Sequence, residues 1–307
     1  MKLNGKFAKG FLFLITAVLV FPSVSFAASS FQPLTSIYST DKDGLLTPEG
    51  VACSAALQEI VAADTGHGRL MRYTFKDGKV KDEKEIKLPE IAQPRKVQLN
   101  SKGEIFVLDG KKHAIARLSA DGKFEGWLAP SGMPDAAAIM PKSFKIGPDD
   151  NIYILDIMGE RVVILGPGGK FIKQIAFPAG YVFMADVTVD GTGRIIIADS
   201  AKAVLYAATK DAAAFTPLTG DLHKYIDLPS NITADKNGTI YIVDQNGGRV
   251  ILVGQDGVFQ GRRVNLGWNE GLLYFPSQLC LESDGYAVIA DRENNRIQIF
   301  RILESGS

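Results

Sequence analysis

The chain has 307 residues, of which 46% are hydrophobic and 22% are charged, and its basic and acidic residues are equal in number. This composition can bury a large core and excludes an intrinsically disordered chain. A balanced charge also provides no long-range field for a polyanion, so we expect no specific nucleic-acid binding.

The first 27 residues have the three parts of a secretory signal peptide. Three lysines precede an apolar run from Phe11 to Phe21, and Ser25-Phe26-Ala27 places small residues at the cleavage positions. The run is shorter than the ~20 residues of a bilayer span. We therefore expect a mature domain of residues 28–307 with a net charge of −3. It should be periplasmic or secreted and not inserted in a membrane.

A repeat of 43 to 47 residues runs through the mature chain. In each copy a short strand, most often opened by Pro, leads through a polar turn to an apolar run that ends in Asp. The six runs are Ile60–Asp64, Ile105–Asp109, Ile152–Asp156, Ile195–Asp199, Ile240–Asp244 and Ala287–Asp291. Continuous apolar runs of this length predict strands buried on both faces, which requires sheets on either side. Six such units predict an all-β, six-bladed β-propeller of four-stranded antiparallel blades.

The two ends of the mature chain predict how the ring closes. The sixth repeat stops after the strand Arg296–Leu303 and lacks a fourth strand, while an unassigned strand, Leu34–Ser39, precedes the first repeat. We expect this N-terminal strand to complete the last blade, because that leaves no unpaired edge.

Two segments resemble the NHL repeat family: Pro48–Ala52 (PEGVA) and Ile289–Phe300 (IADRENNRIQIF). The resemblance extends over essentially the whole mature chain and is weakest in the fourth repeat, where Met184 replaces the opening Pro. It implies a six-bladed propeller. It implies little about function, because NHL propellers serve many purposes.

The Asp that ends each apolar run recurs in every repeat, which favours a structural role over a catalytic or metal-binding one. A carboxylate at a strand end accepts hydrogen bonds from the N–H groups of a turn. Arginines that open the following strand also recur, and we expect them to pair locally or to pack their aliphatic stems: Arg69, Arg161, Arg249 and Arg296.

The histidines argue against one enzymatic role. Some NHL propellers are amidating lyases, in which three histidines placed just after the opening Pro of different repeats hold zinc. The matching residues here are Glu49, Arg95, Lys142, Ala185, Ser230 and Ser277. The chain's histidines, His67, His113 and His223, stand elsewhere, and catalytic zinc needs three fixed protein ligands. We expect no catalytic residues, no metal and no cofactor, although scattered ligands for a calcium site leave a metal-assisted lyase or lactonase as the alternative.

One position of the first strand is mostly polar and is predicted to line the central channel. Its residues are Gln98, Lys145, Thr188, Thr233 and Cys280. Cys53 aligns one position away and should lie between blades. The two cysteines belong to neighbouring repeats once the ring closes, but we expect their side chains to diverge. Export permits a disulfide, and the sequence leaves the pairing open.

The loops before the first strands and after the second strands share one face of a propeller, and they differ most between repeats. Their apolar side chains include Met133, Met140, Tyr181, Phe183, Trp268 and Tyr274. Their basic side chains are Arg95, Lys96, Lys111, Lys112 and Lys142. Such residues anchor interfaces and attract acidic partners; the alternative is that the apolar ones cap the blade cores. We predict an extracytoplasmic scaffold for a protein partner or a small acidic ligand, as a monomer or within a hetero-complex.

Overall fold

The computed structural model describes residues 29–38, 42–134 and 138–303. The predicted signal peptide lies outside these residues. Within them, 24 β-strands form six four-stranded antiparallel sheets. The predicted six-bladed propeller is therefore confirmed. No helix in this part of the chain is long and apolar enough to cross a membrane.

Five blades take their four strands from consecutive segments, and the sixth borrows one strand from the N-terminus. Blade 1 comprises β2 (Gly50–Ser54), β3 (Glu59–Asp64), β4 (Arg69–Lys76) and β5 (Lys79–Ile86). Blade 2 comprises β6 (Pro94–Leu99), β7 (Ile105–Asp109), β8 (Ala114–Leu118) and β9 (Phe124–Trp127). Blade 3 comprises β10 (Pro141–Ile146), β11 (Ile152–Asp156), β12 (Arg161–Leu165) and β13 (Phe171–Ala176).

The second half of the ring follows the same plan. Blade 4 comprises β14 (Met184–Val189), β15 (Ile195–Asp199), β16 (Val204–Ala208) and the short β17 (Thr216–Pro217). Blade 5 comprises β18 (Pro229–Ala234), β19 (Ile240–Asp244), β20 (Arg249–Val253) and β21 (Phe259–Arg263). Blade 6 comprises β22 (Leu279–Glu282), β23 (Tyr286–Asp291), β24 (Arg296–Leu303) and β1 (Ser30–Ile37). Two 3-10 turns, Thr65–His67 and Arg292–Asn294, follow β3 and β23.

The N-terminal strand closes the ring as predicted. Strand β1 pairs antiparallel with β24, from Ser30 opposite Leu303 to Ile37 opposite Ile297. The ring centroid of Phe31 lies 5.8 Å from that of Phe300, so the strand also contributes to the core. It begins four residues earlier than expected from the sequence, and Ser39 lies outside the described residues.

The core consists of six hydrophobic clusters, each shared by two neighbouring blades. Alternation along the first strand of a blade sends one set of side chains toward the preceding blade. Phe144 of β10, for example, packs with Phe106 and Leu108 of blade 2. The six apolar runs are buried on both faces, as their lack of alternation predicts.

The strand-end aspartates have the predicted structural role. Asp109, for example, is fully buried and accepts N–H bonds from Ala92, Gln93, Lys111 and Lys112 at 2.7 to 2.9 Å. In four blades the guanidinium Nε of the recurring arginine lies 2.7 to 3.0 Å from the aspartate Oδ2. The carboxylate thus ties the loop before the first strand to the loop after the second.

The expectation that the two cysteine side chains diverge was wrong. Cys53 and Cys280 form a disulfide, with their Cα atoms 6.0 Å apart. Both sulfurs lie in the hydrophobic cluster between blades 6 and 1. Cys53 of blade 1 points toward blade 6, and Cys280 of blade 6 points toward blade 1. The two side chains therefore leave opposite faces of their first strands and meet at this junction. Cys280 is therefore not free to line the channel.

Candidate functional site

The six first strands begin on one face of the propeller, around the axis. A cavity of about 150 Å³ lies there, and all six blades contribute to its wall. Apart from Leu108, the residues of the wall are the first one or two that follow the opening Pro of a blade, or Met184 in blade 4. We call this cavity the channel mouth. The first residue after the opening residue of each blade forms the rim of the mouth. The second residue forms an inner ring: Gly50, Lys96, Ser143, Asp186, Asn231 and Gln278.

Asp186 is the centre of a buried polar network in the inner ring. The Lys96 ammonium pairs with the Asp186 carboxylate and donates to Ser143 Oγ at 2.7 Å, and Ser143 Oγ also contacts that carboxylate. On the other oxygen, Asn231 Nδ2 donates at 2.6 Å and the Ile232 amide at 2.8 Å. Both Asp186 oxygens therefore already have partners from three blades.

The rest of the inner ring links neighbouring blades. Asn231 Oδ1 accepts from the Leu279 amide at 2.9 Å, and Gln278 Oε1 accepts from the Val51 amide at 3.3 Å. Gln278 Nε2 also donates to the Val97 carbonyl of blade 2 at 3.2 Å. It reaches past blade 1, where Gly50 has no side chain; a Cβ there would lie 2.8 Å from the Arg95 carbonyl. The ring thus joins first strand to first strand, which is a structural task.

The rim carries positive charge that is less fully paired. Arg95 Nε lies 3.7 Å from Glu49 Oε2, at the outer limit of an ion pair. The Lys142 ammonium lies 5.2 Å from the centroid of the Phe183 ring, and among the described residues no carboxylate pairs with it. The Phe183 side chain is itself half exposed. A cation on an aromatic face, open to solvent, can bind an acidic group.

A second exposed aromatic group lies on the same face, in the loop that precedes β22 of blade 6. Trp268 is 70% exposed and its ring lies 5.6 Å from that of Tyr274, which in turn lies 5.0 Å from Phe275. Tyr274 is held in place because its amide donates to Asp291 at 2.7 Å. Phe275 directly precedes Pro276 and the rim residue Ser277. This aromatic group therefore belongs to the loop that leads to the rim on this side.

Other residues predicted for the binding face have different surroundings. Tyr181 packs on the core between blades 3 and 4 and against Phe177, and burial together with Glu160 raises the pKa of its phenol. Met133 packs on the core between blades 2 and 3. Met140 is half-buried, and its amide donates to Asp156 at 3.0 Å. These three side chains contribute to, or border, the blade cores.

The remaining basic residues divide in the same way. Lys111 and Lys112 are exposed, and the Lys112 ammonium lies 4.8 Å from the centroid of a Trp127 ring. Lys96 is buried in its pair with Asp186, so it does not belong to the exposed face. The inner ring was missed by the sequence analysis, although a polar residue two positions after the opening residue in five of six repeats was the available signal.

An apolar cavity of about 550 Å³ lies on the same face, between blades 2 and 3. Ile115, Leu128, Met133, Ile139 and Ile154 line it, and His113 borders it. Residues 135–137 of the neighbouring loop lie outside the described residues.

The three histidines have separate environments. His67 Nδ1 lies 2.9 Å from Asp64 Oδ2, and His223 Nδ1 lies 2.6 Å from Asp221 Oδ1. In the part of the chain that the structure describes, no group of three His, Cys, Asp or Glu residues is arranged to hold a metal ion. None of the histidines belongs to the wall of the channel mouth.

Comparison with solved structures identifies several neighbours of similar fold and low sequence identity. A gluconolactonase from Xanthomonas campestris has a TM-score of 0.67 and 13% identity over 92% of this chain and 94% of its own. A virginiamycin B lyase from Staphylococcus aureus has a TM-score of 0.62 and 14% identity over 90% of this chain and 100% of its own. At this identity the likeness concerns the fold.

The sequence comparisons are more specific for the repeat. Human NHL repeat-containing protein 3 is 35% identical over 77 residues, which are 24% of this chain and 22% of that protein. The NHL repeat family model matches residues 273–300, which include most of blade 6. Together with six blades of one repeated design, these matches show that the chain is an NHL-repeat β-propeller.

Proposed function

We propose that this propeller is an exported binding scaffold that holds an acidic protein partner or ligand at the channel mouth. One observation carries the proposal: exposed cationic side chains lie on the rim of the mouth, one of them against the exposed Phe183 ring, while the polar groups of the inner ring are bonded to one another. Lys142 with Phe183 provides one contact point, and Trp268 with Tyr274 provides another.

The chemistry of the rim favours a partner that combines a carboxylate or phosphate with apolar surface. Trp268 and Phe183 expose large apolar areas whose burial on binding is favourable. Lys142 lies against Phe183, Arg95 lies on the same rim, and both add attraction for negative charge. The neighbouring apolar cavity between blades 2 and 3 extends the surface available to such a partner.

The test is partner capture by the mature protein from the native cell envelope, followed by measurement of the dissociation constant for the captured species. We expect Trp268→Ala and Phe183→Ala each to weaken binding by about 30-fold or more, since hot-spot aromatics contribute upwards of ~2 kcal/mol. Lys142→Glu should slow association and reduce its dependence on salt.

Leu34→Ala is the matched control, because Leu34 is an exposed apolar residue on β1, away from the channel mouth. It should bind like the wild type. Equal loss of binding in all three alanine variants, or unchanged binding in Trp268→Ala and Phe183→Ala with the fold intact, would contradict the proposal.

A metal-assisted lyase or lactonase at the channel mouth is the second candidate. The fold similarity to a virginiamycin B lyase and a gluconolactonase favours it. The hydrogen bonds of Asp186 argue against a metal-assisted enzyme, because Lys96 and Asn231 already bind the two oxygens of this carboxylate. Metal analysis of the purified protein decides: a stoichiometric metal that is lost on Asp186→Asn supports the enzyme, whereas a metal-free protein that binds its partner supports the scaffold.

Export is part of the same proposal. The N-terminal sequence favours it, and so does the disulfide, because such bonds persist in oxidising compartments. N-terminal sequencing of the protein from the producing cell should find the chain starting near Ala28, in the periplasm or the medium. A full-length chain retained in the cytoplasm would refute export.

A further inference from the structure

A partly buried lysine lies one layer below the inner ring of the channel mouth. In β10, Phe144 and Ile146 pack between blades 2 and 3, so alternation turns Lys145 to the other side, toward the axis. In β14, Val187 packs between blades 3 and 4, which turns Thr188 to the corresponding side of the next blade. The two residues occupy the same position in adjacent first strands.

The charges around Lys145 do not balance. Its surroundings contain one other cation, Lys96, and one carboxylate, Asp186. The Asp186 carboxylate is already paired with the Lys96 ammonium. Lys145 itself has no hydrogen bond or ion pair among the described residues. Lys96, Lys145 and Asp186 together provide two ammonium groups and one carboxylate, which leaves an excess of one positive charge.

This imbalance is unfavourable, because the two ammonium groups repel each other and a partly desolvated charge is stabilised by a counter-charge. Burial, together with repulsion from Lys96, lowers the pKa of Lys145 to about 8, although Asp186 opposes the shift. At neutral pH most of the amine is still protonated. A counter-ion would remove the repulsion and favour the protonated form.

A second group in the same layer lacks a partner. Thr188 is fully buried, and its hydroxyl has no hydrogen bond among the described residues. A buried hydroxyl without a partner is uncommon in proteins. The Thr188 hydroxyl can donate one hydrogen bond, and the Lys145 ammonium can donate three. Both groups therefore need an acceptor, and no described side chain provides it.

We propose that a small monovalent anion of the size of chloride binds in the channel, between the Lys145 ammonium of blade 3 and the Thr188 hydroxyl of blade 4. The anion neutralises the excess charge and accepts hydrogen bonds from both groups. It joins two neighbouring first strands, as the inner ring does one layer above. A water molecule can satisfy the hydroxyl but cannot neutralise the charge.

Thermal unfolding at constant ionic strength tests the site, with sodium gluconate replaced stepwise by sodium chloride or sodium bromide. We expect the Tm of the wild type to rise by about 3 °C at about 100 mM halide, and to saturate. In Lys145→Met the rise should be absent, because the positive charge is removed. In Thr188→Val it should need a higher halide concentration, because one donor is lost.

Lys84→Met is the matched control, since Lys84 is exposed on the outermost strand of blade 1. It should retain the full halide response. Crystals grown in bromide should show one anomalous peak within hydrogen-bond distance of the Lys145 ammonium, a result that does not depend on any variant folding. A Tm that is the same in chloride and gluconate, with no bromide peak in the channel, would overturn the proposal. The outcome is independent of partner binding, because neither Lys145 nor Thr188 belongs to the rim.

Discussion

At the scale of single residues, buried carboxylates connect the loop before the first strand of a blade to the loop after its second strand. Burial opposes the ionisation of Asp109, but four backbone N–H bonds outweigh it and lower the pKa of this carboxyl. The same residue type recurs at the end of the second strand in every blade, fully buried each time. The recurrence of this aspartate therefore reflects a structural role, because each carboxylate is hydrogen-bonded within its own repeat.

Glu282 is the opposite case, and it predicts a pH dependence of stability. Burial, assisted by Asp284, raises the pKa of its carboxyl from 4.5 to about 7, and Oε1 has no partner among the described residues. The folded state thus holds the proton more tightly than the unfolded state does. This stabilisation is complete below the unfolded pKa and is lost as the pH rises through the folded one. The Tm of the wild type should therefore fall between about pH 5 and pH 8.

Glu282→Gln removes the titrating group and should flatten this part of the Tm profile. Asp284→Asn should keep the fall but move its midpoint to lower pH, since one source of repulsion is removed. Calorimetric scans across the range measure both effects. A wild-type fall that persists unchanged in Glu282→Gln would assign the titration to another group.

At the scale of elements, the N-terminal strand is the feature on which the ring depends. It covers the outer edge of β24 along its whole length, and it places Phe31 against Phe300 and, at 6.2 Å, against Tyr241 of blade 5. Without it, β24 would present an unpaired edge to solvent. Blade 6 would also lose apolar contacts with blade 5.

Deletion of Ser30–Ile37 should therefore lower the Tm sharply and promote aggregation, because an eight-residue strand and the contacts of Phe31 with Phe300 and Tyr241 are removed. Thermal unfolding and light scattering of the purified variant measure the two effects. Leu34→Ala, which keeps the strand, should change the Tm only slightly because the Leu34 side chain is exposed. A deletion variant that melts like the wild type would mean that the ring is held closed by other contacts.

At the scale of the whole molecule, the junction between blades 6 and 1 is closed twice. The β1 strand links the N-terminus to blade 6, and the Cys53–Cys280 disulfide joins the first strands of blades 6 and 1 across 227 residues. Both devices restrain the same junction, where the two ends of the chain meet.

Replacing both cysteines by Ala should destabilise the protein by about 2–5 kcal/mol, mainly because the unfolded chain is no longer cross-linked. Denaturant unfolding with and without a reducing agent measures this, and the reductant should have no effect on the double variant. Deletion of β1 should cost more in the double variant than in the wild type, because each closure partly compensates for the other. Purely additive losses would show that the two closures act independently.

The sequence by itself determined the number of blades, the order of strands and the N-terminal closure. The number of blades and the order of strands follow from the repeat period and from apolar runs that need burial on two faces. The closure follows from the count of strands, because the last repeat lacks one strand and one unassigned strand precedes the first repeat. It also determined the role of Asp109 and its equivalents, since a residue that recurs in every unit serves the unit.

Only the tertiary structure decided the disulfide, the inner ring and the division of the binding face. Cys53 and Cys280 meet because opposite faces of two first strands oppose each other across the junction, a relation between blades that no period within one blade contains. Lys96 is buried and Phe183 is exposed for the same reason: their environments are set by residues of other blades, far away in sequence. Contacts between blades depend on how the ring closes, so the pattern within a single repeat does not determine them.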